Sequence, residues 1–259
     1  MPKNTRNTLA PLWASQNFLT SAREIRRLLD LSDLGPRDLV VEIGSGKGHI
    51  TRELLLRCGS VLAAELDPAL CARLAERFAG EARLSLYQGD FLKMPLPRGE
   101  YKVFANIPFS RTTDILRRLA YAPNPPAAAW LVVELGAAKR FAGAGRESLA
   151  SLCLRPFYQV RIAAKIPRTQ FHPAPRVDAA LLELRRRPQP ELPMAQRQAY
   201  RAFLECAWKR GLKGLLTKKQ IATALRLEGL PPLPADANLK YVQWLCLFRC
   251  YTRYAKTGR

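Results

Sequence analysis

An α/β protein, a doubly wound parallel sheet followed by a small all-helical domain, is what this sequence predicts, and three observations carry the prediction. Between residues 39 and 133 short apolar runs alternate with amphipathic stretches, the rhythm of strand-helix-strand units. The first run, Leu39-Val40-Val41-Glu42-Ile43, leads into glycines at alternate positions, Gly44, Gly46 and Gly48. Such a turn carries a buried strand into a helix and leaves its backbone open to a ligand. Last, Arg186-Arg187-Pro188-Gln189-Pro190-Glu191-Leu192-Pro193 holds three prolines in eight residues, and proline fits neither a helix interior nor a central strand. A linker therefore ends the sheet domain.

Taken in order, residues 1–14 read as a basic leader in which Trp13 is the one large apolar anchor. Ser15-Gln16-Asn17-Phe18-Leu19-Thr20 precedes a helix over 21–29, whose Ile25, Leu28 and Leu29 share a face. Strands are expected at 39–43, 60–65, 83–88, 101–105 and 127–133, with helices at 49–57, 68–79 and 112–121 between them. Residues 159–166 and 179–185 alternate or carry β-branched side chains and lie either side of a proline-rich loop. They read as an antiparallel pair added at one edge. Beyond the linker three helices are expected, at 194–209, 217–228 and 238–255, the last two parted by Pro231 and Pro232. The domains are then a leader at 1–14, a main domain at 15–187 and a helical basic domain at 188–259.

Composition narrows the partners. Forty-two Lys and Arg against 21 Asp and Glu leave a net charge of +21, a surplus that points to a polyanion, nucleic acid ahead of an anionic membrane. The charge is densest at the end: residues 186–259 hold 15 basic and 4 acidic side chains. No 18-residue apolar span is present and the first eight residues lack a signal-peptide core, so a cytoplasmic protein is expected. Six cysteines form no C-x-x-C pair and only two histidines are available. Reduced thiols and no metal site follow.

The glycine turn selects the ligand. A P-loop needs Ser or Thr after its lysine, but Gly48 follows Lys47, and the dinucleotide fingerprint needs glycine where His49 stands. What remains is acid-x-Gly-x-Gly-x-Gly (Glu42, Gly44, Gly46, Gly48), which resembles the first motif of class I S-adenosylmethionine-dependent methyltransferases. Ligands of a doubly wound sheet sit beyond the carboxyl ends of its strands. The second strand ends at Glu65, 21 residues after Gly44, near the interval at which an acid grips ribose hydroxyls. The third is followed by Gly89-Asp90, whose carboxylate suits the amine of an adenine ring.

The fourth strand ends at Asn106-Ile107-Pro108-Phe109, the most specific signal in the chain. An adenine amine is a weak nucleophile because its lone pair is delocalised into the ring. Two acceptors cure this: the Asn106 side-chain oxygen and the backbone carbonyl of Ile107, held extended by Pro108, would take both N–H hydrogens and localise the lone pair. Phe109 would stack on a base withdrawn from its helix. No side-chain base is then required. In the loop Arg168 to Asp178, Phe171 reads equally as a core anchor or as the aromatic on the other side of the base, and His172 as structural.

Together these residues are similar to the ribosomal RNA adenine N6-methyltransferases, the superfamily of Erm resistance enzymes and KsgA/Dim1 housekeeping enzymes. The resemblance covers Ser15 to Tyr254: Ser-Gln-Asn-Phe-Leu-Thr at 15–20, the glycine motif at 42–49, Glu65-Leu66-Asp67, Gly89-Asp90-Phe91, Asn106 to Phe109 and Phe171-His172-Pro173. It implies a Rossmann-like class I methyltransferase sheet with a small C-terminal helical domain, and S-adenosyl-L-methionine held by Gln16, Asn17, Leu19, Gly44, Gly46, Glu65, Asp90 and Asn106. The catalytic set is Asn106, Ile107, Pro108, Phe109 and Phe171. Asn-Ile-Pro-Phe, in place of the Asn-Leu-Pro-Tyr usual in KsgA-like enzymes, is the Erm form. Arg111 to Ile115, Leu216 to Gln220 and Gln243 to Phe248 also resemble Erm enzymes. The sequence departs from the pattern at Ile50, where Phe often follows His, and at an insertion-like stretch from Pro231 to Asp236.

What the resemblance implies is a monomeric enzyme that methylates one adenine of protein-free or precursor 23S rRNA, conferring macrolide, lincosamide and streptogramin B resistance. Arg111, Lys209, Lys213, Lys218 and Lys219 are the candidate phosphate contacts. The rivals are a KsgA-like 16S rRNA dimethylase, a catalytically dead RNA-binding relative and a DNA adenine methyltransferase. The DNA enzymes generally have Pro at the position of Ile107, and a dead relative has little need of Asn106 to Phe109.

Overall fold

A computed structural model describes residues 17–234 and 238–257. The leader with Trp13, the candidate Gln16 and Asp236 of the insertion-like stretch lie outside the described residues.

The chain opens with β1 (Phe18–Leu19) and α1 (Ala22–Leu29), whose Ser21 hydroxyl caps the helix by accepting from the Glu24 N–H and whose Ile25, Leu28 and Leu29 are buried. Then come β2 (Leu39–Ile43), α2 (His49–Arg57), β3 (Ser60–Glu65), α3 (Pro68–Arg77), β4 (Leu84–Gln88), β5 (Lys102–Asn106), α4 (Thr112–Ala120) and β6 (Ala128–Glu134). Each expected strand and helix of this stretch is present, with ends shifted by up to two residues. α3 starts where Pro68 follows the capping Asp67, whose carboxylate accepts from the Ala69 N–H at 2.8 Å.

Next are α5 (Leu135–Ala142), α6 (Leu149–Leu154), β7 (Tyr158–Ile166), β8 (Phe171–His172) and β9 (Ala179–Arg186). The two helices were not foreseen. α5 contains a glycine and buries only Ala138 and Phe141, and α6 is six residues long with a capping box of two serines, Ser148 and Ser151. Neither leaves a readable period. The chain closes with α7 (Arg197–Arg210), α8 (Lys218–Leu227) and α9 (Tyr241–Thr257). α8 begins at a capping box of Thr217 and Gln220.

The main sheet runs β4-β3-β2-β5-β6-β9-β7, and the four pairings from β4 to β6 are parallel. The order reverses between β2 and β5. β7 and β9 are neighbours at one end of the sheet, where an added pair was expected. β6 is buried along Ala128 to Val133, as befits a parallel strand covered on both faces. A second, two-stranded sheet pairs β1 with β8, Phe18 opposite His172 and Leu19 opposite Phe171.

The molecule divides into two compact units. One holds the residues up to Leu135 with Ala163–Leu182; the other holds Gly136–Ile162 with Glu183–Arg259. In the second unit α7 and α9 join through aromatic rings. Tyr200 and Phe248 meet at 4.9 Å, and Phe203 lies 5.6 Å from Phe248 and 6.4 Å from Trp244. No helix of the described residues is long and apolar enough to cross a membrane.

Candidate active site

The site is built where the strand order reverses, at the carboxyl ends of β2 and β5, the crevice in which doubly wound sheets bind ligands. β2 delivers the glycine turn. A Cβ at Gly46 would lie 2.7 Å from the Phe18 ring, and one at Gly48 would lie 2.7 Å from Leu74 and 2.8 Å from Phe78. Both residues have positive φ, +56° and +75°. Glycine is therefore required twice over, by conformation and by the close approach of β1 and α3. At Gly44 a Cβ would meet nothing within 4 Å, so the space over that residue is open.

β3 delivers Glu65, only 1% exposed. Its carboxylate accepts the Gly46 N–H at 2.7 Å and the Asp67 N–H at 2.9 Å, tying the end of β3 to the glycine turn. Two of the roughly four acceptor positions of a carboxylate are thus used. β4 leads to Asp90, half-buried, whose carboxylate accepts the Leu92 N–H at 2.9 Å.

β5 delivers Asn106. Its Nδ2 donates to the Asn17 carbonyl at 2.7 Å. A carbonyl can only accept, so the amide nitrogen must face Asn17 and the Oδ1 acceptor is directed elsewhere. Ile107 is buried and its N–H donates to the Val132 carbonyl at 3.4 Å, which fixes the backbone from which Pro108 and Phe109 project. Phe109 is half-buried, and the Phe171 ring stands edge-to-face to it at 6.5 Å and 77°. A shallow, open pocket is lined by Asn17, Phe18, Gly44, Asn106, Ile107, Pro108 and Phe109.

The structure thus brings together Asn17, Gly44 and the Asn106 to Phe109 segment in one pocket. Leu19 and Phe171 are buried partners in the β1-β8 pair, Gly46 and Glu65 bond to each other behind the turn, and none of these four lines the pocket. Asp90 stands at the neighbouring strand end. Arg111 is exposed and loosely paired with Asp114 at 3.9 Å. In the second unit Lys209, Lys213, Lys218 and Lys219 are exposed, and Lys213 and Lys218 line an open groove with Leu215, Leu216 and Ile221.

Phe18 and Arg77 escaped the sequence reading as site members, and Glu42, read there as the acid of the glycine motif, was given no role. Phe18 lines the pocket and carries the Lys47 ammonium 5.3 Å above its ring; its place inside Ser15 to Thr20 was the available signal. Arg77 donates to the Lys47 carbonyl at 2.5 Å, holding the turn from α3. Glu42, 1% exposed, accepts the Thr51 hydroxyl at 2.6 Å, which ties β2 to α2 beneath the turn. Burial pushes its carboxyl up to about 8; the Thr51 bond opposes the shift, and the negative charge of Glu65 adds to it. His49, at the start of α2, is shifted the other way, down, by burial and by Arg77 and Lys47.

A doubly wound sheet with a glycine turn and an Asn-Ile-Pro-Phe strand end on either side of its switch point defines an α/β enzyme of methyltransferase fold. More narrowly, the chain belongs to the ribosomal RNA adenine dimethylase family, which matches residues 13–254. It is 35% identical over 238 residues to the rRNA adenine N-6-methyltransferase of Lysinibacillus sphaericus and 36% identical over 238 residues to that of Limosilactobacillus reuteri. Each match covers 92% of this chain and 95% of the relative. Among solved structures, the 23S rRNA methyltransferase ErmE is 29% identical at a TM-score of 0.80, over 91% of this chain and all of that one. A dimethyladenosine transferase from Plasmodium falciparum shares the fold, with a TM-score of 0.74 over 92% of this chain and 98% of that one, at 19% identity. The resemblance to Erm enzymes and the α/β methyltransferase fold expected from the sequence both stand.

Proposed function

We propose that the protein is an S-adenosyl-L-methionine-dependent enzyme that methylates N6 of one adenine in 23S rRNA, and that this activity confers macrolide, lincosamide and streptogramin B resistance. The single observation that carries the chemistry is the anchored Asn106 amide: because Nδ2 is committed to the Asn17 carbonyl, Oδ1 is left as an acceptor at the pocket. There it takes one hydrogen of the adenine amine. The Ile107 carbonyl takes the other, and the lone pair that was spread into the ring is concentrated on nitrogen. Phe109 stacks on the extruded base, with Phe171 behind it as a positioning residue. The methylated nitrogen is then a strongly acidic ammonium that releases one proton to water, so no side chain need act as base.

The residues at the strand ends fit the methyl donor. Glu65 has acceptor positions remaining for a ribose diol, Asp90 for an adenine amine, and the open space over Gly44 lets a ligand approach the backbone. Gln16, Asn17, Leu19 and Gly46 complete the proposed binding set. When bound, S-adenosylmethionine supplies an activated methyl group at a positively charged sulfur. Arg111, Lys209, Lys213, Lys218 and Lys219 are the proposed phosphate contacts. The choice of 23S over 16S rRNA rests on Asn-Ile-Pro-Phe and on the likeness to relatives of Erm type.

The test is transfer of labelled methyl to protein-free 23S and 16S rRNA in separate reactions, followed by mapping of the modified base. Label on one 23S adenine, abolished by Asn106→Ala, is the expected result. Label on 16S rRNA would place the protein with the KsgA-like enzymes instead. No label on either would overturn the proposed activity toward these RNAs and leave a binding protein or an enzyme of another substrate.

A further inference from the structure

We infer that Trp208, at the end of α7, is a stacking platform for an unpaired nucleotide of the RNA substrate, flanked by the cationic segment that follows it. The inference rests on the proposed activity toward rRNA and adds a contact by which the second unit reads that RNA as unpaired.

Single exposed apolar residues are ordinary on a protein surface, but Trp208 differs in how it is held. It is 48% exposed, yet its ring lies 6.2 Å from that of Trp244, tilted by 32°, and Trp244 is itself only 6% exposed. The indole is therefore backed by a buried partner at the end of the aromatic seam between α7 and α9. A ring already fixed in place loses little freedom when a base lands on it.

The chain that follows it is one-sided in charge, and the acid one turn before it on α7, Glu205, is paired with Arg201 at 2.7 Å. From Cys206 to Leu227 the chain contains six basic residues, Lys209, Arg210, Lys213, Lys218, Lys219 and Arg226, and no acid. Lys209 and Arg210 occupy the last turn of α7 beside Trp208, and Lys240, the exposed residue just before α9, accepts the Trp244 N–H with its carbonyl. The groove lined by Lys213 and Lys218 over Leu215, Leu216 and Ile221 follows within the next turn of chain. An aromatic face bordered by cations, with an apolar trough next to it, is what single-stranded nucleic acid requires: bases stack and phosphates are neutralised. A protein partner would need acidic side chains to answer this segment, whereas RNA brings the complementary charge at every nucleotide.

The experiment measures binding of the full-length protein to an unpaired oligoribonucleotide of about 12 nucleotides, as a function of salt, together with Tm. Trp208→Ala is expected to weaken binding by about tenfold, on the scale of one base stack lost from an aromatic ring, and to leave the salt slope unchanged, because no charge is removed. Trp208→Phe should recover most of the affinity. Lys213→Ala should instead lower the salt slope by about one ion. Wild-type affinity in Trp208→Ala would overturn the inference. So would equal losses in Trp208→Ala and Trp208→Phe accompanied by a fall in Tm, which would make the ring structural. A wild-type protein that binds the oligonucleotide but methylates neither rRNA would instead overturn the proposed function.

Discussion

At the scale of the residue, chemistry depends on which atoms are already committed. Asn106 is the clearest case, because one half of its amide is held by Asn17 and the other half is presented. Asn106→Asp would keep an acceptor but set a carboxylate oxygen against the Asn17 carbonyl, so methyl transfer and the position of Asn17 should both be lost; a crystal structure of the variant and the labelled-methyl assay check this. Phe109 is supported from behind by Phe171, so Phe109→Ala should cut turnover at least tenfold, on the scale of a lost base stack, while cofactor binding measured by calorimetry survives. Loss of both would mean that Phe109 chiefly supports the fold. Glu42 gives a pH prediction. Its folded carboxyl, pushed up to about 8, holds a proton that the unfolded chain releases near the usual carboxylate value. The stability this contributes is present at low pH and lost as pH rises through about 8. Glu42→Gln copies the protonated form, so the Tm of the wild type should fall progressively behind that of the variant from about pH 5 upward and level off above the folded value. A constant gap would show that the carboxyl is ionised throughout.

At the scale of the element, the glycine turn is as much a packing device as a ligand loop. Gly48 lets α2 start under Leu74 and Phe78 of the neighbouring helix segment, where a methyl group has no room. Gly48→Ala should therefore cost about 1–3 kcal/mol in denaturant unfolding. Gly44→Ala, which meets no atom within 4 Å, should lose only the conformational part, about 1 kcal/mol, while its methyl group intrudes on the pocket and weakens cofactor binding. Equal costs at the two positions would remove the packing argument. The order of strands and helices from β2 to β6 was legible because short apolar runs alternate with amphipathic stretches, with Asp67-Pro68 marking the start of α3; beyond the linker, Thr217 with Gln220 marks the start of α8. α5 and α6 were not legible, since a small-residue helix and a six-residue helix bury too few large side chains to show a pattern.

At the scale of the whole molecule, the surplus of 21 positive charges makes binding to RNA strongly salt-dependent. Lys218→Ala should weaken rRNA binding uniformly across sequences and reduce the salt slope by about one ion, measured by filter binding at several salt concentrations; an unchanged slope would exclude that contact. The sequence by itself determined the sheet class, the glycine turn, the acidic strand ends and the Asn-Ile-Pro-Phe motif, because each is a local pattern of residue types with a local physical cause. Tertiary structure alone decided which of these meet. It placed Gly44 and Asn106 in one pocket at the reversal of strand order, and through the β1-β8 pairing set Phe171 behind Phe109 and Phe18 against Gly46. It committed Glu65 to the turn amide of Gly46, and set Trp208 beside Trp244. These are contacts between residues 19 to about 150 positions apart, and such pairings arise from the closing of the whole chain around its core, which no local period encodes.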